Sequence, residues 1–350
     1  MAELERFIEL RHPPFPRAAE KESNAITLHD DLFKGRKKAP GFTIDDVDTL
    51  DMDDGIEMKK KGKGYEVIVS ISDVASLIKP NSALDREALN RAHTIYYPDI
   101  SSSPMFPQRL SEGLFSLEEN KRRLAVTITT PFDERLERGE PIIELTQFTS
   151  RQKMSYDVAN KALEQKDDNL HRFIAEYADL AGGLKAKRKD SSTNRKGTAG
   201  TIIEEFMLVA NQSIADFLDM NNIPALYRNH LVPPDPAVRK ELREQIAALI
   251  PAQIDKQMRQ NMINQYLNRG TYEPDNQGHH ALDFVRYMHG TSPIRRYADV
   301  VNQRGIHAVL LGEEPAYTNE RLEQIGDHLS KVSQKERTLP VSEVVFQYTG

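Results

Sequence analysis

The 350-residue chain contains no cysteine, and no apolar run approaches the ~18 residues that a membrane-spanning helix needs. The first absence excludes disulfides and thiolate-bound zinc and fits a reducing compartment. The N-terminus also lacks the apolar stretch of a signal peptide. These absences lead us to expect a soluble, cytoplasmic protein with no membrane partner. Positive charge is in short supply as well. Lys and Arg number 47 against 53 Asp and Glu, a formal net charge of -6. Such a balance excludes a broad electrostatic footprint for nucleic acid and leaves room only for a local grip, because phosphates are neutralised by cations. Internal repeats and low-complexity tracts are absent too, and the length suits one large or two ordinary domains with a sizeable core.

What the chain does have is concentrated acid. Between Thr43 and Gly55 stand Asp45, Asp46, Asp48, Asp51, Asp53 and Asp54. Like charges this close cannot all stay ionised in one site without help, and a hard divalent cation with carboxylate ligands is the usual help. A solvated acidic loop is the alternative. The apolar residues Phe42, Ile44, Leu50, Met52 and Ile56 bracket the run and favour a partly buried segment. A calcium EF-hand does not fit, since counting back from Gly55 puts Leu50 and Met52 at ligand positions. In an extended segment Asp51 and Asp53 would face one way and Asp54 the other, with a bend near Gly55 needed to gather them. Bases cluster at 59–63, 121–123, 185–189 and 295–296, and each cluster also fits a solvated face.

Residues 1–40, with Pro13, Pro14 and Pro16, read as an extended lead-in. The alternation in 65–72 predicts a strand, as do 124–130 and 142–152. Ser82 is placed to cap a short helix reaching Ala92. Helical spacing dominates afterwards, over 170–184, 202–218, 236–249, 253–267, 294–311 and 320–336. Strands first and helices later predict an α+β fold. Ser292 and Pro293 resemble a helix start, which would place Arg295 and Arg296 in the first turn. The helix dipole disfavours cations there but would help them hold an anion. Tyr96 and Tyr97 precede Pro98, so an extended segment pointing the two rings opposite ways is expected.

Six segments, in order, resemble the catalytic domain of the ribonuclease II/ribonuclease R (RNB) family. They are the Asp45–Asp54 run, Ile71-Ser72-Asp73-Val74-Ala75, His93-Thr94-Ile95-Tyr96-Tyr97-Pro98, Pro104-Met105-Phe106-Pro107, Ile203-Glu204-Glu205-Phe206 and Thr291-Ser292-Pro293-Ile294-Arg295-Arg296-Tyr297-Ala298-Asp299. The resemblance implies a mixed β-sheet core packed with several helices around an RNA channel, over residues 41–340, followed by a tail at 341–350. It further implies a 3′→5′ exoribonuclease that hydrolyses single-stranded RNA to nucleoside 5′-monophosphates. Mg²⁺, or Mn²⁺ as the alternative ion, would be held by Asp45, Asp51, Asp53 and Asp54. By the same resemblance Arg295 contacts the phosphate at the cleavage point and Tyr96 stacks on the 3′-terminal nucleotide. Tyr156 would recognise ribose and Glu204 would hold the last nucleotides, with Arg296 as a further substrate contact. Asp46 and Asp48 have no counterpart and are expected to be surface acids.

The chain departs from the family pattern at four places. Gln303 stands where histidine is usual, the segment between Lys189 and Glu204 is short, and the aromatic opposing Tyr96 has no evident counterpart. About 40 residues precede the acidic run, and Val344-Val345-Phe346-Gln347 stands near the end, so complete flanking OB-type RNA-binding domains are not expected. A protein partner that supplies RNA binding in trans would compensate. Two alternatives stay open, a non-catalytic RNA-binding protein of the same fold and a phosphoesterase for short oligoribonucleotides. Weak, poorly processive degradation is the expectation. On a long 5′-labelled oligoribonucleotide it should give a ladder of intermediates; direct conversion of each bound strand to a short end product would contradict it.

Overall fold

The computed structural model describes residues 13–96, 102–165, 169–190, 192–231, 236–249 and 270–338. Along the chain the first elements are α1 (Arg17–Ala25), β1 (Lys37–Asp45), β2 (Asp54–Lys61), β3 (Gly64–Ser72), α2 (Ala83–Arg91), β4 (Ile95–Tyr96) and β5 (Ser102–Ser103). The long strands β6 (Arg122–Phe132) and β7 (Ile142–Ser155) lead into α3 (Tyr156–Glu164), α4 (Asn169–Lys187) and α5 (Gly197–Met220). Then come β8 (Tyr227–His230), α6 (Pro236–Leu249), β9 (Gly270–Glu273), α7 (Tyr297–Leu311) and α8 (Asn319–Thr338).

Strands β1, β2, β3, β6 and β7 pair in that order and close into one barrel. Neighbours are antiparallel except at the seam, where β1 runs parallel to β7. The sheet is therefore mixed, and closure removes its edges. Gly55 carries out a specific task in β2. A Cβ there would lie 2.3 Å from the ring of the fully buried Phe148. The absent side chain lets that ring fill the barrel, so Gly55 is a packing position and not the bend foreseen for gathering the acids.

Two apolar cores flank the acidic segment. One joins the barrel to α4 and α5 through Phe42, Ile44, Ile56, Tyr177, Phe206 and Ile214. The other packs α2, α7 and α8 together through Leu84, Phe106, Ile294, Val300, Leu322 and Ile325. Local signals set the helix starts. The Ser82 hydroxyl accepts from the Asp85 main-chain N–H at 3.2 Å, and Ser155 does the same for Val158 at 3.2 Å. Helix α7 is buried on nearly every side from Tyr297 to Ile306, so its polar groups must find partners inside the protein. Asn302 pairs with both main-chain groups of Leu226, and Gln303 accepts from Ala75 N–H and donates to Ser72 C=O, each at 2.8 Å. Arg304 donates to Asp85 at 2.7 Å, and Tyr297 Oη donates to the same carboxylate at 2.8 Å.

The strand and helix expectations over 65–152 and 170–218 hold with small changes of boundary. Residues 1–40 do not form a wholly extended lead-in. Residues 17–25 are helical, Ala19 reaches the second core, and β1 already begins at Lys37. This helix was hidden because it buries only Ala19 and Ser23, too little for an apolar period to appear. Helix α7 starts at Tyr297, three residues later than expected; Arg296 is extended and bridges to His93. The 253–267 pattern, Tyr97 and residues 341–350 lie outside the described residues.

Asp85→Ala should lose roughly 3–5 kcal/mol, because it strands the buried Arg304 charge; urea denaturation measures the loss. A pH series tests Asp73, which accepts from Arg36 Nη1 and sits beside His307 Nε2, both at 2.8 Å. Burial alone would push its carboxyl up, but His307, Arg36 and Ser76 outweigh burial and hold it well below the carboxylate range. Because the folded value is the lower one, Asp73 stabilises the fold above the unfolded value of about pH 4, and that share is lost as pH falls further. Asp73→Asn should lower the urea midpoint at pH 7 and flatten its decline below about pH 4.

Candidate active site

The acidic run lies where β1 ends and β2 begins, and it is moulded by hydrogen bonds on its apolar side. Met52 is buried, its main-chain N–H donates to Ser116 Oγ at 3.1 Å, and its C=O accepts from Leu117 N–H at 2.9 Å. Ser116 Oγ in turn donates to Leu50 C=O at 2.6 Å. The Asp53 C=O accepts from Ser72 N–H at 2.8 Å, tying the segment to the end of β3. Phe42, Ile44, Met52 and Ile56 are buried as their pattern foretold, whereas Leu50 is 55% exposed at the rim. With Met52 anchored inward, Asp45, Asp51, Asp53 and Asp54 all line one cavity of about 840 Å³. The expected division of Asp51 and Asp53 from Asp54 does not occur, because strand geometry begins only at Asp54.

Asp53 is the most enclosed of the four. Its Oδ1 accepts from the Ile294 main-chain N–H at 2.7 Å, and Arg295 Nε stands 3.4 Å from its Oδ2. Burial pushes its carboxyl well above the usual range, with Arg295 and the Ile294 N–H opposing. Asp45 is also pushed up, first by burial and then by Asp54 and Asp51; burial raises Asp54 against the pull of Arg295 and Arg296. Asp45 Oδ2 and Asp53 Oδ2 are both buried without a hydrogen-bond partner. Crowded, raised carboxylates with orphaned oxygens fit a hard divalent cation, which would supply the missing charge. Among the described residues, no three acidic or imidazole groups already form a coordination shell. The fit is to a hard ion that keeps water or a phosphate among its ligands beside the carboxylates, a common arrangement for Mg²⁺.

The other expected site residues reach the same cavity. Tyr96 is 54% exposed, and its hydroxyl donates to Asp51 Oδ2 at 2.6 Å. Tyr156 opens α3, with Lys196 Nζ 5.7 Å from its ring centre. Glu204 faces the cavity and accepts from Asn194 Nδ2 at 2.9 Å. Its neighbour Glu205 is buried and paired to Arg188 at 2.6 Å, so the two adjacent acids have separate roles. Asp46 and Asp48 are exposed at the rim, and Asp46 pairs with Lys196.

Arg295 and Arg296 differ from the sequence expectation. They precede α7, in a turn where Arg295 N–H and Arg296 N–H donate to Ser292 C=O at 3.2 and 2.9 Å. The first-turn dipole argument therefore does not apply. Arg295 is 43% exposed and remains available to a ligand. The Arg296 guanidinium is instead taken up by the buried Asp299, at 2.8 and 2.7 Å, and the same carboxylate accepts from Ser292 N–H at 2.7 Å. Arg296 thus holds the turn that aims the Ile294 N–H at Asp53, and its contacts do not support a direct substrate role. Sequence reading missed this main-chain donor, which leaves no side-chain signature. It also gave no role to Asp299 or to Glu112, which lines the cavity and is raised by burial and by Asp51. Gln303 hydrogen-bonds to the main chain of Ala75 and Ser72, fastening α7 to the end of β3.

The RNB domain profile matches residues 36–312. Ribonuclease R of Escherichia coli is 28% identical over 393 residues, which cover 92% of this chain and 48% of that protein. The chain thus spans about half the length of the curated relatives it matches. Mycoplasma genitalium RNase R, solved in complex with ribose methylated single-stranded RNA, superposes with a TM-score of 0.78 at 23% identity, covering 94% of this chain and 62% of that one. Yeast Ssd1, a pseudonuclease, superposes with a TM-score of 0.71 at 18% identity, covering 88% and 44%. At these identities the structural likenesses establish the fold. With its profile match running from the first barrel strand to the end of α7, the chain belongs to the RNB-domain family.

Proposed function

We propose that the chain is a divalent-metal-dependent exoribonuclease that hydrolyses single-stranded RNA from its 3′ end and releases nucleoside 5′-monophosphates. The observation that carries this reading is the convergence of Asp45, Asp51, Asp53, Asp54 and Arg295 on one cavity that also presents Tyr96, Tyr156 and Glu204. The aspartates would hold Mg²⁺ or Mn²⁺, and a bound ion would supply charge compensation and a more acidic water for attack on the terminal phosphodiester.

The chain's own residues do the rest. Arg295 offers a fork of donors beside Asp53, suited to a phosphate oxygen. The half-exposed Tyr96 ring gives a face for stacking, an interaction open to any base. Its hydroxyl bond to Asp51 keeps that face next to the acids. Glu204, whose carboxylate accepts, and Tyr156 line the cavity, where they would meet ribose hydroxyls, and the 2′-hydroxyl is what separates RNA from DNA. Ile294 N–H and Ser72 N–H keep Asp53 in place.

A second reading, compatible with a fold that a pseudonuclease shares, is an RNA-binding protein of this fold without turnover. Turnover separates the two. On 5′-labelled single-stranded RNA with Mg²⁺, shortening from the 3′ end should disappear with EDTA. It should fall by roughly 10³-fold in Asp53→Asn, the equivalent of several kcal/mol of charge stabilisation. Binding by the wild type without any cleavage would move the assignment to the second reading. Tyr96→Ala should leave metal dependence intact but raise KM by about tenfold, as expected for one lost base stack of 1–3 kcal/mol.

A further inference from the structure

The hydroxyl of Tyr96 makes a contact that stacking by its ring does not require. It donates to Asp51 Oδ2 at 2.6 Å, while the residue stays 54% exposed in the cavity. Asp51 has reason to need such a donor. Its main chain is fixed on both sides by Ser116, whose Oγ accepts from Met52 N–H at 3.1 Å and donates to Leu50 C=O at 2.6 Å. The side-chain torsions are the freedom that remains. Asp45, Asp53 and Glu112 line the same cavity, and like charge around Asp51 favours turning its carboxylate out toward water. A hydroxyl bonded to that carboxylate opposes the turn. The donor is itself held. Tyr96 pairs with Ser102 between β4 and β5, and two residues earlier Thr94 N–H donates to Arg295 C=O at 3.0 Å. Thr94 Oγ1 also accepts from Met105 N–H at 3.0 Å. The segment that carries Tyr96 is thus fastened to the turn whose Ile294 N–H holds Asp53.

We propose that Tyr96 is the positioning residue for Asp51, so that one side chain serves the terminal base with its ring and the divalent-ion site with its hydroxyl. The proposal rests on the metal-dependent reading above. A carboxylate that accepts one hydrogen bond keeps lone pairs for an ion. An independent sign that a cation belongs in this cavity is Asp53, 4% exposed, whose Oδ2 has no hydrogen-bond partner. Groups that orient metal-ligating carboxylates commonly govern ion affinity by roughly 10–100-fold. A base stacked on the ring restrains the same side chain, so the ion and the 3′-terminal nucleotide should each favour the other's binding, by the same factor in both directions.

The test is calorimetric titration of Mn²⁺ into the full chain without RNA, so that turnover plays no part. Tyr96→Phe, which keeps the ring, should weaken ion binding by about tenfold or more. The same change made in an Asp51→Asn background should bind the ion no more weakly than Asp51→Asn alone. In EDTA, Tyr96→Phe should hold a short single-stranded oligoribonucleotide within about twofold of the wild type, whereas Tyr96→Ala loses about tenfold with the stack. Cleavage by either variant would still require the ion, at a correspondingly higher concentration. Equal Mn²⁺ affinity in wild type and Tyr96→Phe overturns the inference and leaves the hydroxyl as an anchor for the ring. Tighter Mn²⁺ binding by Tyr96→Phe overturns it too, since the hydroxyl would then compete with the ion for Asp51. A further loss in the Asp51→Asn background overturns it by placing the effect elsewhere. These three outcomes leave the metal-dependent reading standing, whereas absence of Mn²⁺ binding by the wild type overturns both.

Discussion

Asp53 sits in the interior with its carboxylate facing a segment 241 residues away in sequence, and the two are joined by the 2.7 Å bond from Ile294 N–H. A carboxylate removed from water costs several kcal/mol unless donors replace its hydration. Here one main-chain N–H and the Arg295 guanidinium are the replacement, and they leave Oδ2 without a hydrogen bond. The compensation is incomplete, and that incompleteness is what suits a cation. It also makes the site conditional on tertiary packing. The turn carrying Ile294 is held by Asp299, Asp299 is held by α7, and α7 is fastened to the barrel through Gln303.

The acidic segment is tied into a small apolar cluster of its own, in which Met52 packs with Ala39, Leu117, Ala125 and Phe148. Its Met52 side is anchored by Ser116 and Leu117, and its carboxylate side lines the cavity. Cations are distributed unevenly around it. Arg295 remains available, Arg296 is neutralised by Asp299, and Lys196 pairs with Asp46 at the rim. Under the function proposed above, a polyanionic substrate would be gripped locally through Arg295 and not through the overall charge of the chain, which is -6.

The main surprises came from groups without a sequence signature. Closure of five strands into a barrel, with β1 parallel to β7, depends on register and twist accumulated over distant strands. Residues 292–296 read as a helix start because Ser-Pro is a favoured beginning. Yet the pairing of Arg296 with Asp299 and the bridge to His93 keep that stretch non-helical. Glu204 and Glu205 were nearly indistinguishable in sequence; a rotation of one helical position sends one to the cavity and the other to Arg188.

By itself the sequence determined the α+β character, the capped helix after Ser82, the strands around residues 65–152 and the residue types gathered for the chemistry. These are local matters, set by hydrophobic period, capping side chains and the crowding of six aspartates in ten positions. Only the tertiary structure decided which carboxylates share a cavity, which arginine remains available, and which main-chain N–H steadies Asp53. Those outcomes depend on burial and on contacts between segments far apart in the chain, and neither quantity exists until the two cores have packed against each other.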